Sequence, residues 1–186
     1  MTFSSLPRET SADIAVWPDG FPGTTGRLRV GGRVYRCALG RSGLARTKRE
    51  GDGATPPGLW PVRRIHYRPD RVARPPVSLP VRAITTDDGW CDDPNHPAYN
   101  TLVSLPFPAS HEVMARTDHL YDLVLELGYN DDPPVRGRGS AIFLHLARPG
   151  FSPTEGCVAV APATMRAILR ALRPGSQVRI MRTPAG

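Results

Sequence analysis

Most apolar residues of this chain recur with a period of two, in short runs cut off by glycine or proline, a pattern that admits a strand-rich fold and few others. The 18 glycines and 21 prolines are scattered between these runs, as frequent turns require. Arg27-Leu28-Arg29-Val30 and Arg33-Val34-Tyr35-Arg36-Cys37 flank Gly31-Gly32. They read as a hairpin whose paired glycines supply the positive φ angles of a tight turn. Further strands are predicted over 61–67, 79–84, 121–129, 140–146, 157–160 and 177–181. One helix is predicted over about 162–173. Pro162 suits its first position, Met165, Ile168, Leu169 and Leu172 form an apolar stripe, and Pro174-Gly175 ends it. A shorter helix is predicted around 110–117. The fold class is mainly β, a β-rich α+β chain in which the long helix covers a sheet.

At 186 residues, with 40% apolar residues, the chain reads as one domain, 1–186, able to bury a core without disulfides. Cys37, Cys91 and Cys157 are odd in number and widely separated, which argues against a disulfide framework and a structural zinc site. Cys91, Asp92 and His96 match no ligand spacing, so no metal and no cofactor is expected. The first thirty residues hold no apolar stretch fit for a signal peptide, and no run has the roughly 20 residues of a membrane helix. The expectation is a cytoplasmic protein with no membrane segment; a misassigned start codon would make it periplasmic.

The net charge of +7 raises nucleic acid as a partner, yet Lys48 is the only lysine among 24 basic residues, and the arginines are dispersed along the chain. Arginine, proline, alanine and glycine enriched together reflect codon bias better than a phosphate-binding stripe. No nucleic-acid partner is expected, whereas an anionic substrate would profit from the positive field.

The chemistry concentrates on Ala141-Ile142-Phe143-Leu144-His145-Leu146 and Pro153-Thr154-Glu155-Gly156-Cys157-Val158. A histidine and a cysteine backed by glycine, each beside a strand-like run, read as a base and a nucleophile, and the glycine lets the backbone approach a substrate closely. The turn-rich stretch 47–58 shapes the rim of a cleft. It is not a phosphate loop, because Lys48 precedes the first glycine. In the segment 89–100, Trp90 and Asp92 are candidates for binding the substrate's ammonium and amide groups, or else for capping an ordered loop. Tyr129 and Asn130, just after a strand, are candidates to face the cleft.

Lys48-Arg49-Glu50-Gly51-Asp52-Gly53 with Thr55-Pro56-Pro57-Gly58, Gly137-Arg138-Gly139-Ser140-Ala141-Ile142-Phe143-Leu144-His145, and Thr154-Glu155-Gly156-Cys157-Val158 together resemble the L,D-transpeptidase catalytic domain. These are cysteine enzymes of peptidoglycan stem peptides. The resemblance covers a core of about 13–182 and implies a β-sandwich of mixed sheets. It also implies Cys157 as nucleophile, His145 as general base, Gly156 as the small residue before the thiol and Thr154 as the supporting hydroxyl. Two positions depart from the pattern. Glu155 stands where many members have histidine, and Ala159 where many have arginine; Arg138 or Arg148 could replace that arginine.

By this resemblance the Cys157 thiolate attacks the carbonyl of the L-centre of diaminopimelate and expels D-alanine, leaving a thioester. Backbone N–H groups of Cys157 and its neighbours are the expected oxyanion donors, and either a backbone carbonyl or Thr154 orients His145. Water as acceptor gives an L,D-carboxypeptidase, expected here in cytosolic muropeptide recycling. An amine gives an L,D-transpeptidase that forms cross-links or exchanges D-amino acids in the periplasm. A non-catalytic peptidoglycan-binding protein is the alternative of another class.

Overall fold

The computed structural model describes residues 14–20 and 23–184. Residues 1–13, which contain Asp13 and much of the stretch read for a signal peptide, lie outside the described residues. Among the described residues twelve strands and one helix follow in order: β1 (Ile14–Pro18), β2 (Thr25–Val30), β3 (Arg33–Ala38), β4 (Gly58–Tyr67), β5 (Val81–Ala83), β6 (Asp88–Cys91), β7 (Leu102–Ser104), β8 (His111–Val113), β9 (Leu123–Leu127), β10 (Phe143–Leu146), β11 (Val158–Val160), α1 (Pro162–Ala171) and β12 (Gln177–Ile180).

Nine strands form a mixed sheet in the order β12-β1-β2-β3-β11-β10-β9-β4-β5, and β4 pairs with β12 as well. The first half of β4 pairs with β12 and the second with β9, with an irregularity between Val62 and Arg64 where the strand changes partner. The two layers of the expected sandwich are thereby joined edge to edge around one core. The β2–β3 hairpin turns at Gly31 and Gly32, with φ of 55° and 73°, and β2 alternates buried and exposed residues as its sequence predicts.

Alternation along β10 explains why 140–146 reads as a continuous apolar run. Ile142, Leu144 and Leu146 enter the main core with Ile65, Leu125 and Val158. Ala141 and Phe143 enter a second cluster with Trp90, Met114, Tyr121, Val124 and Cys157. Both faces are buried, as in the centre of a covered sheet. Helix α1 closes the main core with Met165 and Ile168, both fully buried. The second cluster is roofed by a small sheet, β7-β6-β8.

The shorter helix expected around 110–117 is absent, and its place is taken by β8. His111, Glu112 and Val113 pair with Cys91, Trp90 and Gly89. The buried Met114 beside the exposed Val113 follows a strand's alternation and leaves no helical stripe. Strand β6 hides at the start of the segment read as a loop. All four of its residues are buried, so it offers no polar alternation to read. Among the described residues no helix is long and apolar enough to cross a membrane.

Candidate active site

Strands β10 and β11 run parallel with Leu144 opposite Val158 and His145 opposite Ala159. By the two-residue period of a strand, Phe143 and His145 share one face of β10, and Cys157, just before β11, comes beside Phe143 on the same face. Neighbouring strands lie about 4.8 Å apart and Cys157 is offset two residues from His145, so the register makes thiol and imidazole diagonal neighbours on one face, about 7–8 Å between their backbones. Both line one cleft of about 130 Å³, together with Ala159, Glu112, Arg116 and Arg148.

The sulfur accepts the Phe143 N–H at 3.4 Å and donates to the Ala141 carbonyl at 3.2 Å. Donation to a carbonyl requires the protonated thiol. Burial first, and the carboxyl of Glu112 second, push its pKa up to about 12. His145 Nδ1 lies 2.8 Å from the carbonyl of Leu146. A carbonyl only accepts, so Nδ1 carries the hydrogen and Nε2 keeps its lone pair. Burial lowers the imidazole to about 4. The resting pair is neutral thiol and neutral imidazole.

The Ala141 carbonyl owes its direction to a left-handed backbone, φ 52°, rare for a residue with a Cβ. Asn100 holds it there. Its Oδ1 accepts from Ala141 N and Trp90 Nε1, each at 3.0 Å, while its Nδ2 donates to the carbonyls of Tyr129 and Asn130. The sequence offers no sign of this role, since an amide beside a turn has no distinguishing signal.

The turn before the thiol is fixed from behind. Thr154 Oγ1 donates to the Cys157 carbonyl at 2.6 Å and accepts the Gly156 N–H at 3.1 Å. Thr154 thus braces the turn, and the Leu146 carbonyl orients His145. Gly156 has φ +131°, and a Cβ there would lie 2.9 Å from the Ala54 carbonyl oxygen. The stretch 48–58 therefore backs the turn, pinned by Asp52, which accepts from Lys48 Nζ at 2.5 Å and from Ala54 N at 2.9 Å. Gly156→Ala is expected to cost about 2 kcal/mol of stability through strain and contact. Thermal unfolding compared with wild type measures it, and an unchanged midpoint refutes it.

Of the remaining candidates from the sequence, Arg148 lines the cleft, and Arg138, Tyr129 and Asn130 line a separate surface hollow with Trp60 and Val135. Tyr129 donates to the Arg138 carbonyl at 2.5 Å, and Asn130 spans the carbonyls of Val135 and Gly139. These residues shape the loop that enters β10. Trp90 is buried beneath the site with its ring edge-on to Phe143 at 5.0 Å, and it supports the site from within. Asp92 does not line the cleft; its Oδ1 is buried without a partner. Glu155 also lines the cleft, and its carboxylate pairs with Arg41 at 2.7 Å.

The sequence reading missed the far wall. Tyr121 sets its ring against His145 at 5.3 Å and Phe143 at 5.9 Å, and its hydroxyl donates to Glu112 at 2.6 Å. The Arg116 guanidinium lies 5.1 Å from the Tyr121 ring centre and grips Asp118 with two hydrogen bonds of 2.7 and 2.8 Å. Arg148 reaches the same Asp118 at 3.5 Å. Among the described residues no group of side chains is arranged to hold a metal ion.

No curated protein matches the chain. Solved structures similar to it include an L,D-transpeptidase from Mycobacterium smegmatis, with TM-score 0.40 and 14% identity over 92% of this chain and 59% of that one. L,D-transpeptidase 1 of Mycobacterium tuberculosis is also similar, with TM-score 0.37 and 10% identity over 92% and 60% of the two chains. The chain thus spans about three-fifths of the length of these structures. Residues 24–180 match the family model of the L,D-transpeptidase catalytic domain, and they hold both strands of the cleft, so the chain belongs to that family.

Proposed function

We propose that the protein is a cysteine acyl-transfer enzyme of peptidoglycan stem peptides that cleaves the diaminopimelate–D-alanine bond, with water as the acceptor. The observation that carries this reading is the neutral Cys157–His145 pair on one sheet face, in a cleft walled by Arg116 and Arg148. The resting S–H points to the Ala141 carbonyl, so substrate binding has to redirect it to His145 Nε2. Nε2 takes the proton as sulfur attacks the carbonyl carbon of the L-centre. His145 then returns the proton to the departing nitrogen as the C–N bond breaks, and D-alanine leaves a thioester. In the second half His145 takes a proton from water as the water oxygen adds to the thioester carbon, and returns it to the sulfur as the C–S bond breaks, which frees the tripeptide carboxylate and restores the neutral pair.

Gly156 N–H already bonds Thr154, which leaves Cys157 N–H as the candidate oxyanion donor. Ala159 stands opposite His145 without a polar side chain, and Arg148, which reaches Asp118 only at 3.5 Å, is the cation placed to receive a substrate carboxylate in its stead. The confined space beside the sulfur supports a small acceptor. The test is product analysis with a defined muramyl tetrapeptide. Free D-alanine and tripeptide in equal amounts are expected, whereas cross-linked dimer without tripeptide would replace water by an amine, and no turnover would leave a binding protein.

A further inference from the structure

We propose that Glu112 is a specificity-determining residue of the Cys157 cleft: it receives an ammonium group on the stem peptide and couples that contact to activation of the thiol. This rests on the reading of Cys157 as the nucleophile of a stem-peptide enzyme. The substrate class it selects is peptides whose third residue keeps a free side-chain ammonium, as diaminopimelate does.

Glu112 projects from β8 into the wall of the same cleft as the thiol and the imidazole. Its carboxylate oxygen accepts one hydrogen bond, from Tyr121, and among the described residues it has no ion pair. Arg116 is the cation that acts on it, and that guanidinium is committed to Asp118. The other charged groups that act on it, Asp92 and Glu50, are acids, and with burial they hold its pKa above the usual carboxylate range. A carboxyl that lines a substrate cleft with no cation of its own lacks its partner until a ligand brings one.

The consequence reaches the sulfur. A negative charge at Glu112 opposes a second negative charge at Cys157, and the two groups do act on each other. A substrate ammonium at Glu112 cancels that repulsion and adds a positive charge beside the developing thiolate. Peptides without the ammonium leave the repulsion in place. Besides Glu112 the cleft is lined by Arg116, held by Asp118, Glu155, paired with Arg41, and Arg148; Glu112 and Arg148 together are the complement of an amino-acid centre that bears both charges.

The test compares tetrapeptides that carry free or N-acetylated side-chain diaminopimelate amine, in the wild type, Glu112→Gln and Glu112→Asp. The substitution Glu112→Gln retains an acceptor for Tyr121 and removes the charge. The wild type is expected to favour the free amine by about 10-fold in kcat/KM, Glu112→Asp to keep part of this preference, and Glu112→Gln to lose it. Independently of turnover, the free-amine tripeptide should accelerate iodoacetamide alkylation of Cys157 in the wild type and leave Glu112→Gln unaffected. The acetylated tripeptide should accelerate neither. If D-alanine release fails with every peptide, the proposed reaction is wrong, and alkylation still decides the role of Glu112. Equal preference in the wild type, or equal acceleration in wild type and Glu112→Gln, overturns the inference.

Discussion

Cys157→Ala is expected to abolish D-alanine release, with a loss on the order of 10^4-fold or more, because no other group can carry the thioester. The variant should stay folded. Cys157 is small, and it contributes one methylene and a sulfur to the cluster of Trp90, Tyr121 and Phe143, so the expected cost is about 1 kcal/mol. The other two cysteines are internal controls. Cys37 is fully buried in the main core, where burial pushes its thiol up to about 12, and Cys91 is fully buried on β6. Cys157 has a similarly raised pKa, so the reactivity proposed for it rests on His145 and the cleft and not on a resting thiolate. An electrophile that acylates the native protein should therefore label Cys157 alone, by peptide mass mapping, and His145→Gln should suppress labelling nearly as far as Cys157→Ala suppresses turnover. D-alanine release by Cys157→Ala would remove the nucleophile from the proposal altogether.

That site was legible in the sequence because its parts are local. Strand period fixes which side chains share a face, and the segment Ala141 to Leu146 with the turn before Cys157 encodes both partners within a few residues. The far wall was not legible. Glu112, Arg116 and Tyr121 converge on the cleft through the pairing of β8 with β6, which Trp90 and its neighbours decide by long-range contact. Local propensity placed a helix there, and tertiary pairing overrode it. The charge also reads differently in three dimensions. Arg63, Arg68, Arg82 and Arg116 are each matched to an aspartate, so these four arginines serve the fold and add nothing to the excess of positive charge.

The acid limb of both activity and stability is expected to expose His145. In the folded chain burial holds its pKa near 4, against about 6.5 in an unfolded chain. For activity, the neutral imidazole that must accept the thiol proton then persists well below pH 6. kcat/KM should therefore change little between pH 7 and pH 5, and an acid limb near 6.5 would mean that His145 titrates as a solvated imidazole and not as a buried one. For stability the sign follows from proton uptake. Above about pH 6.5 neither state binds the proton, and the contribution is complete. As the pH falls toward 4, the unfolded chain takes up a proton that the folded chain refuses, and about 3 kcal/mol of stability is lost. His145→Gln removes the titrating group, so its melting temperature should decline less steeply over this window than that of the wild type, even as D-alanine release falls by about 10^3-fold. Parallel melting curves for the two proteins between pH 6.5 and 4 would show that His145 is protonated or solvated in the folded state. The neutral resting pair, on which the route from thiol to thioester depends, would then have to be abandoned.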